Sequence, residues 1–395
     1  MRLLSYSIRV VLLWCLAIAL PSCIDSYMPD VISATKHYLT VDGFINSQGI
    51  TTIVLSRTYD IDARATIPPV EAGATVTIEA EGGGSYSLRE STTKGTYASA
   101  SLSLPTTQRY RLRIRTTGGT EYASDYVAIK TTPPIDNITW RTTNDGLNIY
   151  VNTHDNTNAS QYYRWEYEET WEIRPPYSPS VEYKNGRMQD ITVPFPTTCW
   201  GNVKSVDIKI SNTTRLSQDV VSDFLVRSFA TTASQIYYKY SILVRQHTLT
   251  KEEYGYWELL KKNTENIGSL FDPQPAQLTG NVHCLNDDTE LALGYVGAHS
   301  LTEKRIFISR GELPSTWRLQ NGYEGCLPPD TVFLYKPSPP PPNPTEVLRS
   351  AFGRSTFLPI QAIYERDIII GYLAKEQGCI DCRARGTSVR PSFWQ

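Results

Sequence analysis

The cysteines are the residues whose type and spacing point most directly to chemistry. Five of the seven lie in the second half of the chain: Cys199, Cys284, Cys326, Cys379 and Cys382. The last two form a C-x-x-C motif, which occurs in zinc sites, redox pairs and disulfides. A zinc site needs two further ligands of suitable spacing, and the sequence has no second C-x-x-C and no H-x₃-H pair. We therefore expect a disulfide that joins Cys326 to Cys379 or Cys382 and staples the C-terminal tail.

The other reactive side chains form no recognisable catalytic or metal-binding pattern. The five histidines are His37, His154, His247, His283 and His299. None belongs to an H-E-x-x-H motif, and the acidic run 287–290 lacks the spacing of a calcium loop. G-x-S-x-G and S-x-x-K motifs are also absent. The sequence thus predicts no catalytic residue, no cofactor and no metal, and it leaves open a hydrolase whose two carboxylates meet only after folding.

Aromatic residues are numerous, with eight Trp and 25 Tyr in 395 residues. Exposed aromatic rings stack on sugars or anchor partner proteins. Most of the rings fall in alternating segments, where core packing explains them, but Trp171 precedes the irregular stretch 174–179. Trp171 is therefore the best candidate for an exposed contact, with loop or core packing as the alternative.

The elements that must position these residues are β-strands. In 109–115, Tyr110, Leu112 and Ile114 alternate with four arginines, which is typical of a strand with one buried and one solvated face. The same alternation recurs at 76–80, 147–151, 163–167 and 206–210. Turn signals such as 82–84, 144–146 and 185–186 separate these segments. The pattern predicts an all-β fold built of two β-sandwich domains of immunoglobulin or fibronectin type.

The expected domains are 23–132 and 135–395, separated by the extended joint at Pro133 and Pro134. The second domain also contains one short helix near 250–266, which begins with a capping box from Thr250 to Glu253. The Pro-rich stretch 336–344 is expected to form a stiff polyproline II loop on the surface.

The first 22 residues have the features of a signal peptide, with Arg2 and Arg9 before an apolar run that is too short to span a bilayer. Leu20, Ser22 and Cys23 resemble a bacterial lipobox, in which cleavage precedes the cysteine and its thiol receives a lipid. Ordinary signal cleavage is the alternative. Either route delivers the chain to an oxidising compartment, where disulfides persist. Without Arg2 and Arg9 the net charge falls from −2 to −4, which disfavours nucleic acid as a partner.

Several runs, spread over nearly the whole mature chain, resemble the domain-of-unknown-function 4249 family of Bacteroidota lipoproteins. They are residues 39–45, 240–247, 263–265, 268–275, 280–282, 293–295, 304–306, 379–383 and 391–394, together with Tyr254, Trp257 and Gly386. The resemblance implies a lipoprotein of the outer membrane that accompanies a TonB-dependent receptor. It implies no activity and supplies no catalytic residues.

The sequence therefore favours a non-catalytic binding protein, anchored to the outer membrane through Cys23, that assists a TonB-dependent receptor in nutrient uptake. Whether it faces the periplasm or the cell surface stays open. The alternatives are an adhesin or surface-assembly subunit that uses strand addition, and a hydrolase with an unrecognised carboxylate site.

Overall fold

A computed structural model describes residues 37–59, 68–265, 278, 280–335, 343–354 and 356–395. The expected signal peptide, the lipidation candidate Cys23 and residues 336–342 of the Pro-rich stretch lie outside the described residues. The described part consists mostly of strands, so the prediction of an all-β fold is confirmed. Within that part, no helix combines the length and the apolar character needed to span a membrane.

The strands are numbered in chain order. The first nine are β1 Leu39–Gly43, β2 Ile45–Asn46, β3 Gln48–Arg57, β4 Thr75–Ala80, β5 Ser85–Glu90, β6 Thr96–Ser103, β7 Arg109–Arg115, β8 Glu121–Ser124 and β9 Val127–Ala128. The next nine are β10 Ile135–Thr142, β11 Gly146–Asp155, β12 Tyr162–Ile173, β13 Val181–Lys184, β14 Arg187–Asp190, β15 Cys199–Lys204, β16 Lys209–Asn212, β17 Asp219–Ala230 and β18 Lys239–Thr248.

The last seven strands are β19 Val282–Cys284, β20 Ala292–Leu293, β21 Ala298–His299, β22 Leu301–Ser309, β23 Asp330–Phe333, β24 Phe357–Glu365 and β25 Ile368–Glu376. Among the described residues, the α-helices are α1 Lys251–Glu265 and α2 Pro344–Phe352. The described part of the chain also has single-turn 3₁₀ helices at Ser234–Ile236, Arg310–Glu312, Glu324–Cys326, Gln377–Cys379 and Cys382–Ala384.

The first sheet has the order β19-β8-β7-β4-β5-β6-β3-β1-β20, with β9 paired to β7. Its strands alternate as expected. Tyr110, Leu112 and Ile114 of β7 are fully buried, whereas the arginines between them reach carboxylates on the neighbouring strands. Arg111 and Arg113 both bond Glu79 of β4, at 2.8 and 3.2 Å. The basic face of β7 is therefore paired with acidic residues and is not a free patch.

The first unit also contains strands from far along the chain, which corrects the expected domain 135–395. β19 pairs with β8, β20 with β1, and β21 with β2. Val282 of β19, Ala298 of β21 and the nearby Val296 belong to the first hydrophobic core. The chain thus leaves the first unit near Pro133 and returns to it after α1. The two prolines in the sequence indicate where the chain leaves the first unit. The sequence does not indicate where the chain returns to it, because β8 and its partner β19 are more than 150 residues apart.

The second unit is a β-sandwich of two sheets around one core. One sheet has the order β10-β11-β17, and the other β15-β12-β18-β22 with β16 beside β12. Tyr163 and Trp165 of β12 and Tyr240 of β18 fill the space between the sheets, where all three are fully buried. Because side chains alternate along a strand, Arg164 and Glu166 of β12 point away from this core.

A third, smaller unit was not foreseen from the sequence. β23, β25 and β24 form a sheet on which α2 and the β13–β14 hairpin pack, around a core of Leu334, Phe352, Tyr372 and Ala374. The end of the predicted polyproline stretch belongs to this unit. Asn343 caps α2 by accepting a hydrogen bond from the Thr345 amide, and Pro344 is the first helical residue. Residues 343 and 344 therefore start a helix, which corrects that part of the expectation.

Two disulfides tie the C-terminal tail to the second unit. Cys326 bonds Cys379, which is one of the two pairings expected, and Cys382 bonds Cys199, which sequence reasoning did not assign. Cys284 is the unpaired thiol within the described part of the chain, and it is buried in the first core. Beyond Cys382 the tail lies against β15, where the backbones of Trp200 and Thr387 bond each other.

Candidate ligand-binding cleft

A cleft of about 310 Å³ lies where the first unit, the second unit and α1 meet. β1 contributes Asp42, β12 contributes Arg164 and Glu166, and α1 contributes Trp257, among other residues. Ligand sites occur preferentially at such junctions between units. We call this feature the interdomain cleft.

The polar lining of the cleft follows from the alternation of β12. Tyr163, Trp165 and Tyr167 are buried in the sandwich core, so the residues between them must face the opposite side. Arg164 lies directly across from His247 of β18, and Glu166 lies across from Arg245. Arg245 bonds Glu303 of β22 at 2.7 Å and Glu168 of β12 at 3.2 Å. These cross-strand ion pairs hold the face of the sheet in one arrangement.

Arg164 is the most confined charge in the cleft. Its guanidinium carbon lies 3.9 Å from the centroid of the Trp257 ring, and its side chain is only 13% exposed. It forms an ion pair with Glu166. Burial lowers the pKa of Arg164 to about 10, although the nearby carboxylates of Glu253 and Asp42 act in the opposite direction. The group remains a cation at neutral pH.

Helix α1 places an acid at the base of the cleft. The Glu253 amide donates to the Thr250 hydroxyl at 3.1 Å, as the capping motif predicts. The Glu253 carboxylate, however, turns inward instead of reaching back to complete the capping box. Its Oε1 lies 3.7 Å from Nε2 of His299, and its Oε2 has no hydrogen-bond partner. A Cβ at Gly297 would lie 2.2 Å from Oε2, so only glycine leaves room for this carboxylate.

Two buried histidines lie beneath the cleft. His247 and His299 are 1% and 0% exposed, and none of their ring nitrogens has a hydrogen-bond partner. Phe44 of the first unit stacks on His299 at 4.2 Å and meets the edge of His247 at 5.0 Å. Burial lowers the pKa of His247 well below 6.5, and the nearby Arg164, His299 and Arg245 lower it further. Sequence reasoning missed this pair, because 51 intervening residues leave no spacing signal.

The remaining histidines occupy the surface. His37 bonds the Thr58 carbonyl, His154 contacts Asp136 at 2.7 Å, and His283 lies 3.3 Å from Asp125. His283 is exposed while the adjacent Cys284 is buried, so the two side chains occupy opposite faces of β19. Among the described residues, no group of three or more His, Cys, Asp or Glu is arranged to hold a metal ion.

Trp171, the candidate exposed contact, lies within β12 and is half-buried. It faces Gly201 across the β12–β15 pair. A Cβ at Gly201 would lie 2.4 Å from the indole, so the ring fills the space that glycine leaves. It packs against the second core and against the cluster around the disulfides. The structure thus places Trp171 in packing, which is the alternative that the sequence left open.

Comparison with solved structures gives only remote similarity. A DUF4785 family protein from Legionella pneumophila subsp. pneumophila is 12% identical, with a TM-score of 0.18, over 52% of this chain and 51% of that one. Chitinase ChiA74 from Bacillus thuringiensis is 11% identical, with a TM-score of 0.15, over 49% of this chain and 28% of that one. The chain thus spans about half or less of these proteins, and neither similarity carries a conclusion about fold or function.

Comparison with families is more informative. No curated protein matches the chain. A family model described as "Domain of unknown function (DUF4249)" matches residues 24–305. The match covers the first unit, most of the second and all three elements that form the interdomain cleft, while the β23–β25 sheet, α2 and the C-terminal tail lie beyond it. The chain therefore belongs to the DUF4249 family.

Proposed function

We propose that this chain is a lipid-anchored binding protein of the outer membrane, which takes up a ligand in the interdomain cleft and serves a TonB-dependent receptor in nutrient uptake. The observation that carries the binding role is the cleft itself, where Asp42 of β1, Arg164 of β12 and Trp257 of α1 converge from separate elements. The lipobox-like sequence ending at Cys23 supports the anchor. The resemblance to outer-membrane lipoproteins supports the proposed partnership with a TonB-dependent receptor.

Affinity purification from native membranes in mild detergent tests the partnership. A tag after Gln395 is suitable, because that residue is exposed. We expect a TonB-dependent receptor to co-purify with the chain. The Cys23→Ala variant should appear in the soluble fraction and lose the receptor. Recovery of the lipidated chain without any receptor would contradict the partnership.

One observation keeps a hydrolase as the second candidate. Asp42, Glu166 and Glu253 all line the interdomain cleft, and paired carboxylates are the catalytic groups of glycoside hydrolysis. Glu166 is already paired with Arg164, and Glu253 lies beside His299. Mass spectrometry of a bound ligand after prolonged incubation separates the two roles. Intact ligand supports binding, and cleaved ligand supports hydrolysis.

The adhesin alternative gains no support at the C-terminal end. Trp394 is buried, its indole donates to Glu172 at 3.1 Å, and Lys239 bonds the Gln395 carbonyl at 2.7 Å. This packing holds the last residues against the second unit, so they are not available as a donated strand.

A further inference from the structure

We propose that the ligand of the interdomain cleft is a neutral saccharide. The inference rests on the proposed binding role of the cleft, and it adds the chemical class of the ligand. It does not depend on the receptor.

The first argument is the balance of charge. The cleft contains the cations Arg164 and Lys204 and the carboxylates of Asp42, Glu166 and Glu253. An anionic ligand would meet three carboxylates, and a cationic ligand would meet a desolvated guanidinium. A neutral ligand with many hydroxyls avoids both costs, because each hydroxyl can donate to a carboxylate and accept from a cation.

The second argument is the presence of aromatic rings beside these polar groups. Tyr256 and Trp257 of α1 and Tyr295 line the same cleft. Tyr256 and Tyr295 lie 5.5 Å apart, and the Trp257 ring is held by Arg164. The C–H faces of a pyranose ring pack on aromatic rings while its hydroxyls point sideways. Rings that are already fixed lose little conformational entropy when they bind.

The third argument comes from polar atoms that lack partners. Glu253 is 2% exposed, and its Oε2 accepts no hydrogen bond. Nε1 of Trp257, one turn further along α1, donates none. A buried polar group without a partner is destabilising, because it has lost its hydrogen bonds to water. Both residues line the cleft, so a ligand hydroxyl that reaches either atom removes the penalty of that atom.

The test is binding of neutral glycans to the mature, lipidated chain in detergent. An array of immobilised neutral glycans identifies a bound glycan, and calorimetry with its soluble form gives the affinity. Asp42 and Lys204 are exposed, so Asp42→Ala and Lys204→Ala should fold normally. We expect each to weaken binding about tenfold or more, as expected for the loss of a hydrogen bond to a charged group. Tyr256→Ala should weaken it as well.

The controls are Asp190→Ala and Lys184→Ala, which remove the same residue types from exposed positions on the β13–β14 hairpin. They should bind like the wild type. The proposal is overturned if no neutral glycan binds, or if cleft and control variants bind a glycan equally well. Receptor co-purification without glycan binding would overturn only the saccharide inference, and glycan binding without a receptor would overturn only the partnership.

Discussion

The guanidinium of Arg164 on β12 lies against the indole of Trp257 on α1, with 3.9 Å between the guanidinium carbon and the ring centroid. This contact joins the helix to the second sheet at the edge of the cleft. Because the two residues are 93 positions apart, the contact exists only in the folded chain. A partly desolvated cation–π pair contributes more than an exposed one, since water competes less for the cation.

Replacing Arg164 should therefore destabilise the chain. We expect Arg164→Ala to lower the free energy of unfolding by about 1–3 kcal/mol. The variant loses the stacking on Trp257 and leaves Glu166 without its ion-pair partner. Urea unfolding measures the change. Arg141 is a matched control, since it lies 5.1 Å over the Tyr150 ring but is exposed. Arg141→Ala should cost about 0.5 kcal/mol or less. Equal losses in the two variants would refute a special role for the Arg164 contact.

Stability should fall as the pH is lowered, because of His247. Its pKa in the folded chain lies well below the value of about 6.5 expected in the unfolded chain. Below pH 6.5 the unfolded state therefore binds a proton that the folded state does not, and stability decreases by up to about 1.4 kcal/mol per pH unit. Unfolding measured from pH 8 to pH 5 should show a shallower decline in His247→Phe than in the wild type.

His154 provides a control of opposite sign. Its hydrogen bond and charge interaction with Asp136 raise its pKa, so its contribution to stability is present at low pH and is lost as the pH rises. His154→Ala should therefore remove a gain in stability that the wild type makes as the pH falls from 8 toward 6.5, and it should leave the slope below pH 6.5 unchanged. An unchanged slope in His247→Phe would mean that His247 is not neutral in the folded protein.

The packing of Trp171 predicts the effect of adding one methyl group. Gly201→Ala places a Cβ where the indole lies, and overpacking of this kind costs about 1–3 kcal/mol. Thermal unfolding should show the loss. In contrast, Gly255 of α1 has open space around its Cα, and Gly255→Ala should raise stability by about 0.5–1 kcal/mol through helix propensity. Tolerance of Gly201→Ala would show that Trp171 is free to move.

Removal of either disulfide should loosen the tail. Cys326→Ser with Cys379→Ser opens a loop of 53 residues, and Cys199→Ser with Cys382→Ser opens one of 183. Each should lower the free energy of unfolding by about 2–5 kcal/mol. Peptide mapping of the wild type without reduction should recover both linked pairs and leave Cys284 unlinked. A linkage that includes Cys284 would contradict the pairing.

The sequence predicted local features well where a short pattern determines them. Alternation in β7 and β12 identified which side chains enter the core, since a strand buries every second residue. Thr250 marked the start of α1 within one residue, because its hydroxyl satisfies a free helical amide. The predicted strand 206–210 was less accurate. β16 begins at Lys209, and Val206 is 97% exposed, because residues 205–207 form the connection into that strand.

The candidate site could not be predicted, because folding alone brings its members together. Asp42, Arg164, Glu253 and Tyr295 come from four distant segments. Each has an ordinary local explanation, such as a solvated strand face or a helix cap. The inward turn of Glu253 depends on Gly297, which reaches α1 only because the chain returns to the first unit. The Cys199–Cys382 bond was missed for the same reason.

Hydrogen exchange at the interdomain cleft tests the central claim most directly. Amide exchange in β1, β12 and α1 is measured by mass spectrometry with and without a saturating mixture of neutral glycans. We predict slower exchange in these three elements and unchanged exchange in β23, β24 and β25, which lie in the third unit. Unchanged exchange in β1, β12 and α1 at saturating glycan would contradict the account.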